Sequence, residues 1–380
     1  SGGTTIAGGK LSISKDSNLG STSGALTLDG GVLQVTGTML NGLMRDIVFG
    51  AAGGGFDIVE AGNTFTVNQS FSGTGSFSKA GAGTLLLNGT HSYSGATTVS
   101  GGTLRAGQSG SFSANSAFTV DTGASLDLAS FDQSIGSLAG AGTVTLGSGT
   151  LTAGANNAST TFSGTITGTG GVTKTGTGTL TLTGANTYTG STKVSSGKLV
   201  VNGSITSTVT LDGGTLGGSG TVGGVSAGSG ATVAPGNSIG TLTVSGNVSF
   251  ASGSTYQVEV NAAGQSDRIA ASGSASITGG TVQVLAENGN YAASTNYTIL
   301  TASGGVSGTF SSVSSNLAFL TPSLSYGGTT VTLTMTRNDT SFGPGGGSSS
   351  GGSSSGGTSG GGTNTGGTSS GSNTGSTGGT

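Results

Sequence analysis

The sequence predicts an all-β fold, a parallel β-helix ended by a β cap and followed by a flexible tail, and three observations carry that prediction. Short runs alternate apolar residues with Thr or Ser, glycine turns separate those runs, and a long segment occurs twice without gaps. Helical spacing of apolar residues is missing throughout, so the chain has strands to stack and no helices to place on them.

Composition supports each of these elements. Glycine supplies 82 of 380 residues, while 31% of the chain is still hydrophobic, so tight turns coexist with enough apolar side chains to fill an interior. Only 6% of residues are charged, against roughly a quarter in ordinary soluble domains. With a net charge of -3 there is no basic field to attract nucleic acid or an anionic membrane surface. The chain has no cysteine, which suits passage through an oxidising compartment in an unfolded state. No charged leader followed by an apolar core opens the chain, and no apolar run is long enough to span a bilayer as a helix.

The repeat defines the first region, residues 1–239. Gly73 to Gly107 reads "GTGSFSKAGAGTLLLNGTHSYSGATTVSGGTLRAG", and Gly168 to Asn202 reads "GTGGVTKTGTGTLTLTGANTYTGSTKVSSGKLVVN". In the second copy Leu180 and Leu182 alternate with Thr179, Thr181 and Thr183, which puts leucines inside and threonines outside. At roughly 20 residues per coil the patterned part gives on the order of 17 coils. Residues 240–342 have longer strands and more aromatics, among them Phe250, Tyr256, Tyr297, Phe310, Phe319 and Tyr326, and read as a cap over the exposed last coil. Residues 343–380 are almost wholly Gly, Ser, Thr and Asn, which cannot bury a face, and read as a flexible low-complexity tail or linker.

Candidate chemistry is sparse. His91, the one histidine, stands where the other copy has Asn186, which reads as a turn position that does not need an imidazole rather than a general base. Asp121, Asp127 and Asp132 lie close together in "DTGASLDLASFDQS" and read as solvated corners rather than a glycosidase pair or cation site. Asp267 and Arg268 read as a turn or a surface ion pair. Gly-rich strings such as "TGTGT" at residues 175–179 lack the following helix and lysine of a phosphate loop. No catalytic, cofactor-binding or metal-ligating residue is assigned, and the chain reads as a non-enzyme with no cofactor.

The string "GTGGVTKTGTGTLTLTGANTYTG" closely resembles the autotransporter-associated β-strand repeat of bacterial type V secretion, and the copy from Gly73 is similar. The stretch from Val233, "VAPGNSIGTLTVSGNVSF", through "GQSDRIAASGSASITGGTVQVL" is similar to the junction, or autochaperone, region of the same family. The resemblance implies a right-handed parallel β-helix at the bacterial cell surface, delivered by an outer-membrane translocator barrel in the parent protein. Its expected work is structural, adhesive or display. Its expected partners are a host surface, glycans or itself through weak multivalent contacts, with no nucleic acid. The alternatives are the non-catalytic stem of an autotransporter enzyme whose catalytic domain lies upstream, and a fibre-forming surface subunit. The start inside a strand-rich stretch reads as an excised piece.

Overall fold

The structure is a computed structural model that describes residues 2–338, and these fall within one compact unit. The tail expected from residue 343 lies outside the described residues. The unit is a parallel β-solenoid whose coils stack strand on strand.

Its first face is a sheet of 15 parallel strands running from Lys10–Ile13 to Ser312–Ser315. The second face is a sheet of six, from Thr64–Val67 to Thr165–Thr167. The third begins at Gln133–Ile135 and continues to the end of the solenoid. Before it, Thr4–Ile6, Leu26–Leu28 and Ile47–Phe49 form a separate sheet of three.

Alternation decides which side chains enter. Along Thr179–Leu182 the leucines are buried and the threonines half-buried. Leu182 stacks between Phe162 of the coil before and Val201 of the coil after, all three fully buried. Removing a leucine side chain from water in such a column contributes about 1.5 to 3 kcal/mol. Because such columns overlap from coil to coil, the core is one cluster from Ile6 to Met335.

Coils differ in length. Lys198 sits on Thr215 and Thr215 on Thr232, so these coils advance 17 residues each. Near the end Thr281 sits on Ser312, a step of 31. The first face therefore has 15 rungs, fewer than the 17 coils expected from a uniform period, because the late coils carry extra turns and strands.

The last strands break the parallel rule. Ser294–Ala302 pairs antiparallel with Thr330–Arg337, which pairs antiparallel with Leu320–Tyr326. Phe250 lies edge-on to Phe310 at 5.1 Å and beside Tyr256 at 5.4 Å. The Tyr256 hydroxyl donates to the Ile299 carbonyl and that of Tyr297 to the Asn261 carbonyl at 2.7 Å, so these rings tie successive coils together.

Candidate functional site

The two repeat copies share a buried polar interior, and it is built from positions 95 residues apart. Lys79 and Lys174 occupy inward positions on Phe77–Ala80 and Val172–Lys174, each two residues beyond a buried Phe77 or Val172. Strand parity therefore sends both ammonium groups into the core, where Lys79 is 0% and Lys174 1% exposed. A buried ammonium needs acceptors for all its protons. Lys79 Nζ donates to the carbonyls of Ala80 (2.8 Å), Gly81 (3.0 Å) and Gly101 (3.0 Å). Lys174 Nζ donates to those of Thr175 (2.6 Å), Gly176 (3.0 Å) and Ser196 (3.4 Å). In both cages two acceptors come from the lysine's own turn and the third from the next coil, so each ammonium bridges two coils.

The cages depend on glycine. Gly81 and Gly176 take φ of 76° and 65°, the left-handed region where a side chain is strained. At Gly176 a Cβ would also collide with the Gly154 carbonyl oxygen and approach Asn157 Oδ1 to 2.8 Å. The "KTGTG" string at residues 174–178 thus turns carbonyls toward a cation, the opposite polarity from a phosphate loop. Burial pushes Lys79 down to about 8, opposed by the Asp57 carboxylate, and burial likewise lowers Lys174.

His91 and Asn186 do the same work one side further on. The Phe71 amide donates to His91 Nδ1 at 3.0 Å, and the Ile166 amide to Asn186 Oδ1 at 3.0 Å. Each is an acceptor for a backbone N–H of the preceding coil, so an imidazole is not specifically required. At this position between strands His91 is buried, packed against Phe71 and Tyr93. Burial pushes its pKa down to about 4, and Nε2 is enclosed without a partner.

A hydroxyl chain completes the unit. Tyr93 meets Thr97 Oγ1 at 2.7 Å, which meets Ser116 Oγ at 2.8 Å; Tyr188 meets Thr192 at 2.5 Å, which meets Ser207 at 2.8 Å. All six residues are buried. Burial pushes both phenols up, Tyr188 to about 12, so the chains stay neutral and fully protonated.

The remaining candidates are separate structural devices. Asp127 pairs with Arg105 at 3.3 Å and accepts from the Ala129 amide at 2.8 Å, whereas Asp132 accepts from the Thr150 amide at 2.7 Å. Asp121 closes the turn after Ala117–Val120, its carbonyl accepting from the Ala124 amide at 2.9 Å. Asp267 forms no pair with Arg268. It is buried and accepts from the Gly240 amide (2.8 Å) and the Glu259 amide (2.9 Å), while burial lifts its carboxyl to about 7. Among the described residues no group of three or more His, Cys, Asp or Glu is placed to hold a metal ion.

Sequence reasoning passed over Lys79 and Lys174, although a signal was there. They hold the same place in both copies, at inward parity, in a chain with ten Lys and Arg in all. It also passed over Arg45, a buried guanidinium that donates to Asp16 Oδ1 at 2.8 Å and to the carbonyls of Asp16, Leu19, Gly20, Ser21 and Gly24, fixing the first coil's loop.

Residues 77–106 and 172–201 match the passenger-associated-transport-repeat, so the cages, the amide acceptors and the tyrosines all fall inside matched repeats. The chain is also similar to an extracellular serine protease of Serratia marcescens, 41% identical over 113 residues, which is 27% of this chain. The match covers 11% of that protease's length. No helix among the described residues is long and apolar enough to cross a membrane.

Proposed function

We infer, from a chain that carries two autotransporter passenger repeats on one parallel solenoid, that this region is a passenger or stalk at the bacterial cell surface. It acts as a scaffold for display or adhesion. The observation that carries this reading is the shared interior of the repeats: its titratable groups bond the backbone and hydroxyl groups of the fold itself. Lys79, Lys174 and His91 bond backbone groups, and Tyr93 and Tyr188 bond neighbouring hydroxyls. The outward rows of Thr and Ser keep such a scaffold wet with few charges. They suit weak multivalent contact with a host surface, glycans or another copy, and the acidic balance argues against nucleic acid.

Residues 240–342 serve in this reading as a cap that ends the stack, the antiparallel closing strands covering backbone groups a further coil would otherwise pair. The parent's translocator barrel is the expected partner in export. Similarity to a secreted protease favours a second reading, in which the solenoid is the non-catalytic stem that carries a protease domain. In both readings the described residues carry no turnover of their own.

The test is export itself. With an epitope at the N-terminus and a translocator barrel fused at the C-terminus, the epitope should be reached by antibody on intact cells. An epitope made in full but reached only after lysis overturns the reading. Deleting Gly240 to Asn338 should leave the remainder aggregated or slow to fold, and a remainder that refolds reversibly would remove the cap from the account.

A further inference from the structure

One place on the solenoid departs from its hydroxyl-covered exterior. On the second face Thr64, Thr84, Thr103, Ser125, Thr143 and Thr165 stand in register as one outward column. The column beside it begins with Thr66 and ends with Thr145 and Thr167, but its middle rungs are Leu86, Arg105 and Asp127. An aliphatic side chain and two charges thus replace hydroxyls on three successive coils, in a chain with 6% charged residues.

Next to these rungs stands Phe131, 38% exposed and the one aromatic ring among the exposed large hydrophobic residues. Two consecutive non-glycine residues hold it there in the left-handed region, Ala129 at φ 50° and Ser130 at φ 72°. Such strain persists only where the surroundings enforce it. Here the Ala129 amide is tied to Asp127 Oδ1, the Phe131 amide donates to the Leu128 carbonyl at 2.9 Å, and Ser130 Oγ accepts from the Ser148 amide at 3.2 Å. Around this ring lies a groove of about 300 Å³, with an apolar lining from Leu86, Ala106 and Phe131 and a polar one from Thr64, Asn88 and Arg105.

We propose that this groove binds a neutral oligosaccharide, with Phe131 against the C–H face of one sugar ring and Arg105 and Asn88 bonded to its hydroxyls. A sugar ring offers a flat apolar face and a rim of groups that both donate and accept, which matches an apolar lining with a few fixed polar groups. Asn88, whose Nδ2 donates one proton to Asn68 Oδ1 at 3.0 Å, keeps a second donor and an acceptor, and Arg105 supplies a fork of donors. The ion pair to Asp127 engages Arg105 Nε and balances its charge, so an anionic ligand gains little there, while the two terminal nitrogens make no bond among the described residues. The second repeat is an internal control: 95 residues on, the places of Leu86, Asn88 and Arg105 are held by Thr181, Thr183 and Val200 on the same backbone scaffold.

This inference rests on the reading of the chain as an exposed passenger, and its test is independent of export. Saturation-transfer NMR on the purified full chain would use maltotriose, cellotriose and tri-N-acetylchitotriose as neutral probes, with sialyllactose as an anionic one. At least one neutral trisaccharide should receive saturation at millimolar concentration. Phe131→Ala and Arg105→Val should each weaken its binding about tenfold or more. Thr181→Leu should leave it unchanged. Circular dichroism checks folding, and Leu86→Thr, which copies the second repeat, stands in for any variant that fails to fold. Silence from every neutral probe, tighter binding of sialyllactose, or binding that survives in the Phe131→Ala/Arg105→Val double variant each overturns the proposal. Those failures would leave epitope exposure on intact cells as it was, whereas a buried epitope would leave the NMR result standing.

Discussion

The first repeat and the second are alike inside and different outside. Lys79 and Lys174 each bridge two coils through three carbonyls, and His91 and Asn186 each accept one amide from the coil before. Their outward-pointing positions diverge: Leu86 and Arg105 in one copy correspond to Thr181 and a covered Val200 in the other. Their faces differ as well: Phe77–Ala80 belongs to the first face and Val172–Lys174 to the third. The interior is therefore the constrained part of the repeat, because a buried ammonium or amide left without its partner is costly, while an outward-pointing side chain carries no such requirement.

The severest challenge to this comparison is to bury a charge where the copies agree. Leu180→Asp or Leu182→Asp, and equally Leu85→Asp, should cost several kcal/mol by enclosing an unpaired carboxylate in a stacked column. Loss of the urea unfolding midpoint in all three is the expected outcome, and a mild effect in either copy would show that its leucines do not face inward.

Next come the cages. Lys79→Ala and Lys174→Ala each leave three carbonyls of half-buried turns without their donor, so each should cost about 1 to 3 kcal/mol. Comparable falls in unfolding midpoint are expected for the two variants. A large cost at one site and none at the other would break the equivalence of the copies.

A pH series sharpens the interior difference between His91 and Asn186. The folded chain holds His91 near 4 against an ordinary 6.5, so between those values the unfolded chain binds the extra proton. Stability from this position is complete above 6.5 and drains away as pH falls toward 4, by about 2 kcal/mol at pH 5. His91→Asn, which installs the second copy's acceptor, should flatten that slope and leave folding at neutral pH unchanged. An unaltered slope in the variant would place the acid sensitivity elsewhere. Smallest of all, Thr181→Asp should change stability by no more than about 0.5 kcal/mol, because the side chain points outward. A cost equal to that of Leu180→Asp would refute the assigned faces.

The alternation of leucine with threonine made the faces legible before any coordinates, since strand parity alone decides whether Leu182 or Thr181 enters the core. The cages were not legible in the same way. Half of what defines them is backbone, and the carbonyls of Gly101 and Ser196 reach the lysines from 22 residues away, a contact that no side-chain pattern announces. Asp267 was hidden for the same reason, being held by two amides and not by the arginine next to it. The groove beside Phe131 depends on two residues bent into a glycine-like conformation, which alanine and serine do not advertise.

The spacing between the copies has a consequence for how such a molecule could lengthen. Ninety-five residues is not a whole number of coils, which is why the second copy begins on a different face from the first. Splicing in another segment of that length would act like a gear advanced by part of a tooth: everything downstream would keep its internal bonds and swing round by one side. A tandem duplication could thus redirect whatever the surface carries without a single change to the core.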